Sequence, residues 1–239
     1  CISQWGYDFR PAYLDIGEIR KLHPQVPCLA LTATATDQVA RDIKEKLHFR
    51  PTPSKAPFFK KSFRRENIGF YVVKEAVKEP IVLDLLRRFP GSAIIYARNR
   101  RKTVQLAKYL QRRGHSADFY HAGLSAEERS RKQQEWIGYK TQIIVSTNAF
   151  GMGIDKADVR LVVHVDLPES LEAYYQEAGR AGRDGHRSSA VLIYNAADIQ
   201  KLQESFELSF PPIKTVRQVY DKLYSYYSLA YGSGKEEQY

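Results

Sequence analysis

SAIIYARNRRKTVQLAKYLQRRGHSADFYH, residues 92–121, carries the decision about fold class. SAIIYA (92–97) is a continuous apolar run of strand length, the polar and basic segment 101–112 reads as a helix, and HSADFYH (115–121) reads as a second strand. A strand apolar on both faces and joined to the next strand by a helix predicts a parallel sheet covered on both sides.

The pattern repeats outward. Helix 80–89 precedes the unit, and a helix starts at Ser125, where Ser125 and Glu128 make a capping box that satisfies the free amides of a first turn. TQIIVST (141–147) and RLVVHVD (160–166) read as strands, helix 170–180 aligns Leu171, Tyr174, Tyr175 and Ala178, and SAVLIY (189–194) is the last strand. In such a sheet function lies in the loops beyond the strand C-termini. Upstream, a short helix (13–20) ended by Pro24, a buried strand PCLALTA (27–33) and a helix 37–47 capped by Thr36 or Asp37 are expected. A proline-rich connection (48–66) then leads to an isolated strand ENIGFYVV (66–73). Downstream, helices 196–208 and 213–229 flank Pro211-Pro212, and GSGKEEQY (232–239) has no apolar pattern.

The 239 residues carry a formal charge of +10, which favours a polyanionic partner. Lys60, Lys61, Arg64 and Arg65 surround Phe58, Phe59 and Phe63, and a second basic group runs from Arg98 to Arg113; solvated faces explain both equally well. No apolar run reaches the ~20 residues of a membrane span. Cys1 and Cys28 are the two cysteines, too few for a four-cysteine zinc site, so no metal ligands are expected and a reducing compartment fits best.

Five stretches offer chemistry. QEAGRAGRDG (176–185) sets Arg180 and Arg183 three apart among Gly179, Gly182 and Gly185, so a continuing helix would present both guanidiniums on one face to a polyphosphate. A glycine-rich helix end with surface arginines is the competing reading. STNAFGMGIDKADV (146–159) follows a strand and offers Ser146, Thr147, Asn148, Gly151, Gly153 and the charged pair Asp155-Lys156. It matches neither the dinucleotide nor the P-loop fingerprint and equally fits an ordinary strand-to-strand loop. LTATAT (31–36) reads as a helix cap, YARNRRKTV (96–104) as a phosphate-backbone contact, and His121 in YHAGLS (120–125) as a structural histidine or a site residue.

Taken in order, SQWGYDFRPAY, LTATAT, IIYARNRR, YHAGL, STNAFGMGIDKADVRLVVH and YYQEAGRAGRDG resemble the RecQ family of superfamily 2 DNA helicases, over residues 1 to about 195. The resemblance implies two RecA-like α/β lobes: the end of the first in 1–72, all of the second in 73–195, then a helical extension in 196–239. It further implies 3′–5′ unwinding driven by ATP with Mg²⁺, single-stranded and forked DNA as partners, no membrane, and a cytoplasmic or nucleoid location in a bacterium or a nuclear one in a eukaryote. By matching motif, Arg183 corresponds to the arginine finger, with Arg180 and Gln176 beside it and Gly153 and Asp155 at the nucleotide. Trp5, Phe9 and Arg10 correspond to a DNA-sensing loop, and Arg98, Asn99, Arg101, His121, Thr147 and Asn148 to DNA contacts. The family's GKS and DExH segments are absent from these residues, so the chain by itself is expected not to hydrolyse ATP. Its four-cysteine zinc segment is absent too, and Tyr7 stands where the family more usually has His. A non-catalytic DNA-binding module and an RNA translocase of the same superfamily are the competing readings.

Overall fold

A computed structural model of the chain describes residues 15–32, 35–49, 59–60, 62, 64–150 and 155–227. Its centre is a six-stranded sheet in the order β1-β6-β5-β2-β4-β3, with every neighbouring pair parallel. The strands are β1 (Ile68–Lys74), β2 (Ser92–Tyr96), β3 (Ala117–Tyr120), β4 (Ile143–Ser146), β5 (Val159–His164) and β6 (Ser188–Tyr194). The helices are α1 (Ile19–Leu22), α2 (Asp37–Lys46), α3 (Lys78–Arg88), α4 (Arg100–Arg112), α5 (Ala126–Ile137), α6 (Leu171–Ala178), α7 (Ala196–Ser209) and α8 (Ile213–Tyr226).

Strand residues alternate between two cores, as the two-residue side-chain period requires. Ala93, Ile95, Val145, Leu161, Val163 and Ile193 pack under Val82 and Leu86 of α3 and Leu106, Ala107 and Leu110 of α4. Ile94, Tyr96, Ile144, Val162 and Ala190 face the other way, onto Trp136 of α5, Phe150, Ala178 of α6 and Ala181. Trp136 and Phe150 are wholly buried, and each large apolar side chain so enclosed contributes ~1.5–3 kcal/mol. The expected caps form: Ser125 and Glu128 complete the capping box of α5, and Thr36 Oγ1 accepts from Val39 N at 3.3 Å.

Several expectations need correction. The strand predicted as isolated is β1, which pairs with β6 from Ile68↔Ser188 to Lys74↔Tyr194 and so runs through the expected lobe division at 72/73. Its partner lies at the far end of the α/β region, where no local pattern points to it. PCLALTA is not a strand: residues 27–32 have no regular structure, and Leu29 and Leu31 are 80% and 84% exposed. An extended apolar segment becomes a strand by joining a ladder, and no ladder among the described residues includes this one. Helix α6 stops at Ala178, short of residue 180, and its first residue Leu171 is exposed rather than aligned with the buried Ala178. No helix among the described residues is long and apolar enough to cross a membrane, and no group of three or more His, Cys, Asp or Glu residues there could hold a metal ion.

Candidate functional site

The parallel sheet has two edges of strand ends, and connectivity assigns the motifs to them. At the C-terminal edge, β2 and β5 are neighbours whose following helices lie on opposite faces, α4 on one and α6 on the other. This is the switch point at which open parallel sheets form a crevice. Asp166 occupies it. Its carboxylate accepts from Arg98 N at 2.8 Å and from Lys102 Nζ at 2.5 Å, clamping the loop after β2 to the loop after β5. Arg98, Asn99 and Arg101 are exposed here, although Asn99 also caps α4 by accepting from Lys102 N at 2.8 Å. The loop after β3 lies alongside. A side chain at Gly123 would come within 2.7 Å of the Arg100 guanidinium, so glycine lets Arg100 cross that loop.

His121 stacks on Phe119 with ring centroids 5.6 Å apart, and its buried Nδ1 has no hydrogen-bond partner among the described residues. Ser146, expected to offer its hydroxyl to a ligand, instead buries it between Tyr120 O (2.9 Å) and Thr147 O (2.7 Å). Thr147 is largely buried and Asn148 is exposed. Lys78 Nζ donates to Asp198 Oδ2 and Val165 O, both at 2.5 Å, and ties α3 to α7 behind the crevice. Burial raises the Asp198 carboxyl, but the hydrogen bonds from Lys78 and from the Asn195 backbone outweigh it and hold the group below its usual range.

The arginine segment sits at the opposite edge. After α6 the chain turns at 179–185, with Gly182 N donating to Val159 O at 2.9 Å and Asp184 N to Ala157 O at 3.2 Å, both at the start of β5. Gly182 has φ +54°, and a Cβ there would come within 2.7 Å of His186 O and Ser188 Oγ. Arg180 and Arg183 therefore do not share a helix face. The turn gives each its own environment.

Arg183 Nη1 donates to the exposed Asp155 at 2.9 Å. Arg180 lies beside the Tyr96 phenol, which burial pushes up in pKa against the pull of that guanidinium. Gln176 is exposed on the last turn of α6. Trp5, Phe9, Arg10 and Gly153 lie outside the described residues.

The expected charged pair Asp155-Lys156 is split. While Asp155 meets Arg183, Lys156 is buried, donating to Ile137 O at 3.1 Å with its ammonium 3.3 Å from the Tyr139 ring centroid. Burial lowers the Lys156 pKa, partly offset by Asp158. Arg65, read as part of a basic face, works inward: it donates to the carbonyls of Gly179 (3.4 Å), Ala181 (3.3 Å) and Gly182 (2.8 Å) and so braces the arginine turn from below. Asn67 adds bonds to Gly182 O at 2.7 Å and His186 O at 3.0 Å. Asp166, Arg65 and Asn67 escaped the motif reading. The available signals were polar residues abutting buried strands: HVD at the end of β5 and REN before β1. β4 ends at the crevice edge with Ser146 and β5 begins at the arginine edge with Val159.

Comparison with known proteins defines the class: residues 77–185 match the helicase conserved C-terminal domain. Over 83–85% of its length the chain is 42% identical to ATP-dependent DNA helicase Q-like 2 of Arabidopsis thaliana, 45% to ATP-dependent DNA helicase Q5 of Rattus norvegicus, and 43% to ATP-dependent DNA helicase RecQ of Haemophilus influenzae (84%, 83% and 85%, in that order). The chain belongs to the RecQ family of superfamily 2. It spans 29%, 21% and 32% of those three relatives. The fold is also that of Saccharomyces cerevisiae Dbp5 bound to RNA and ADP BeF3, with a TM-score of 0.66 at 20% identity over 88% of this chain and 55% of that one.

Proposed function

We propose that the chain is the second-lobe segment of an ATP-dependent 3′–5′ DNA helicase, with the nucleotide at the arginine edge and single-stranded or forked DNA at the crevice edge. The observation that carries this reading is that the exposed basic residues Arg98 and Arg101 and the arginine turn at 179–185 lie at opposite edges of one parallel sheet. A motor needs such a division, because hydrolysis at one place must alter grip at another. Arg183 is held in place by a carboxylate that a phosphate oxygen could replace, and Arg180 keeps a buried Nε without a hydrogen-bond partner among the described residues. Both suit a polyphosphate, which takes paired guanidinium donors.

Bound ATP would supply the phosphoryl group, with Mg²⁺ neutralising its charge. The protein's part is then to fix Arg183 as the arginine finger, with Arg180, Gln176, Asp155 and Gly153 around the nucleotide. At the other edge Arg98, Asn99, Arg101, His121, Thr147 and Asn148 take the DNA backbone, joined by Trp5, Phe9 and Arg10 of the DNA-sensing loop. Backbone contact carries no sequence information, which suits a motor that travels any sequence. The work implied is DNA repair or recombination, in the nucleoid or the nucleus.

The test is DNA-stimulated ATPase and strand displacement on the chain and on the protein extended to the length of its relatives. DNA-dependent hydrolysis is expected from the extended protein and not from the chain alone. Absence of hydrolysis from the extended protein would leave a non-catalytic DNA-binding module, and faster displacement of RNA duplexes would make it an RNA translocase.

A further inference from the structure

Between the two edges lies a buried polar cluster centred on His164, a residue assigned to neither edge. His164, the last residue of β5, is 1% exposed, and its Nε2 meets Glu177 Oε2 of α6 at 2.9 Å. A carboxylate accepts, so Nε2 carries the proton. The imidazole stacks on Tyr96, the last residue of β2, with centroids 5.1 Å apart and 22° between planes, and meets Tyr174 of α6 edge-on at 5.0 Å. Tyr96 donates to Phe150 O at 3.0 Å and has Arg180 as its neighbour. His164 Nδ1 and the Tyr174 hydroxyl are buried without a hydrogen-bond partner among the described residues.

This position is chemically unusual. Every other core position of β5 named above is aliphatic, and an apolar residue would pack here without leaving polar atoms unpaired. A buried charged or polar pair adds little stability over a well-packed apolar one, so stability alone does not account for this pair. The pair lies between the two edges. Two residues beyond His164 is Asp166, which holds the crevice together; two beyond Tyr96 is Arg98. On the other side, Glu177 lies three residues before Arg180 and six before Arg183, in the last turn of α6.

We propose that His164 is a positioning residue: through its hydrogen bond to Glu177 it sets the register of the last turn of α6, and so carries occupancy of the Asp166 crevice to Arg180 and Arg183. The proposal rests on the assignment of nucleotide and DNA to the two edges. Its mechanical element is the end of β5, which an occupied crevice would shift along with Asp166 and whose histidine is bonded to the helix. Stacking alone would transmit less, because ring faces slide where a hydrogen bond fixes both distance and direction.

Two variants separate hydrogen bonding from packing. His164→Phe keeps the ring between Tyr96 and Tyr174 and loses the bond; His164→Gln loses the ring and keeps an amide N–H within reach of Glu177. Hydrogen exchange of the amides at 179–183 is followed with and without an oligothymidylate single strand, alongside DNA-stimulated ATPase of the extended protein. The native protein and His164→Gln are expected to change protection at 179–183 on adding DNA. His164→Phe is expected to lose that change and at least ~tenfold of the DNA stimulation of kcat, with DNA affinity and the KM for ATP within about twofold of native.

Native behaviour of His164→Phe, or loss of coupling in His164→Gln with retention in His164→Phe, would overturn the proposal. So would unchanged exchange at 179–183 in the native protein when DNA is bound. Failure of the native extended protein to hydrolyse ATP would instead overturn the helicase reading, and the exchange measurement would still decide whether the crevice and the turn are linked.

Discussion

The two edges of the sheet use the same residue type in opposite ways. At the arginine edge the guanidiniums are tied down: Arg65 to three carbonyls, Arg160 to Asp184, Arg183 to Asp155. At the crevice edge Arg98 and Arg101 are exposed while the backbone of Arg98 is clamped by Asp166. Fixed donors suit chemistry, because a reaction gains from groups already placed for the transition state. Exposed donors on a fixed base suit a polymer whose phosphates must be held and released in turn. The difference teaches that charge count alone does not separate a fixed arginine from a solvent-facing one; what holds the side chain does.

The largest expected effect breaks the fixed edge. In the extended protein Arg183→Ala should lower turnover by ~10³-fold or more, with DNA affinity near native. Steady-state ATPase with a parallel binding isotherm checks it, and lost DNA binding with normal turnover would erase the contrast between the edges. Next in size is the anchor behind the crevice. Asp198→Ala leaves Lys78 buried without its carboxylate and should cost ~3 kcal/mol in denaturant unfolding. Because the folded Asp198 pKa is depressed, its contribution is present above the ordinary value of 3.8 and lost as pH falls through the folded value. Asp198→Asn should therefore flatten the acid limb of the stability curve.

A smaller effect sharpens the comparison. Asp166→Ala releases both Arg98 N and Lys102, and DNA affinity should fall by about tenfold, the loss of one charge-assisted contact set. DNA-independent ATPase should remain near native, which the same two assays would report. The smallest change is expected from Arg101→Ala: binding weakens equally for all sequences, and the slope of log affinity against log salt falls by about 1. Fluorescence anisotropy over a salt series measures it, and a sequence-dependent loss would contradict backbone contact.

The alternation of apolar strands and amphipathic helices from residue 80 onward was legible in the sequence, because the central strands' burial on both faces is written as apolar runs such as SAIIY and IIV. Cap residues Ser125 and Thr36 were legible for the same reason, being local chemistry. Where the reading failed, a partner distant in sequence decided the outcome. The segment at 66–73 gained its sheet from β6, and PCLALTA joins no strand of that sheet. Arg65, drawn into a basic face by its neighbours Arg64 and Lys61, is claimed instead by carbonyls in a turn far downstream.

The candidate site divides the same way. Which residues could bind an anion was set by the sequence: arginines among glycines, and polar residues immediately after buried strands. Only the tertiary structure decided where they stand. It put the arginine turn and the crevice at opposite edges, paired Asp155 with Arg183 rather than with its neighbour Lys156, and set His164 against Glu177. A parallel sheet delivers successive strand ends to the same edge whatever the residues between them, whereas an ion pair forms between whichever charges the fold brings within reach.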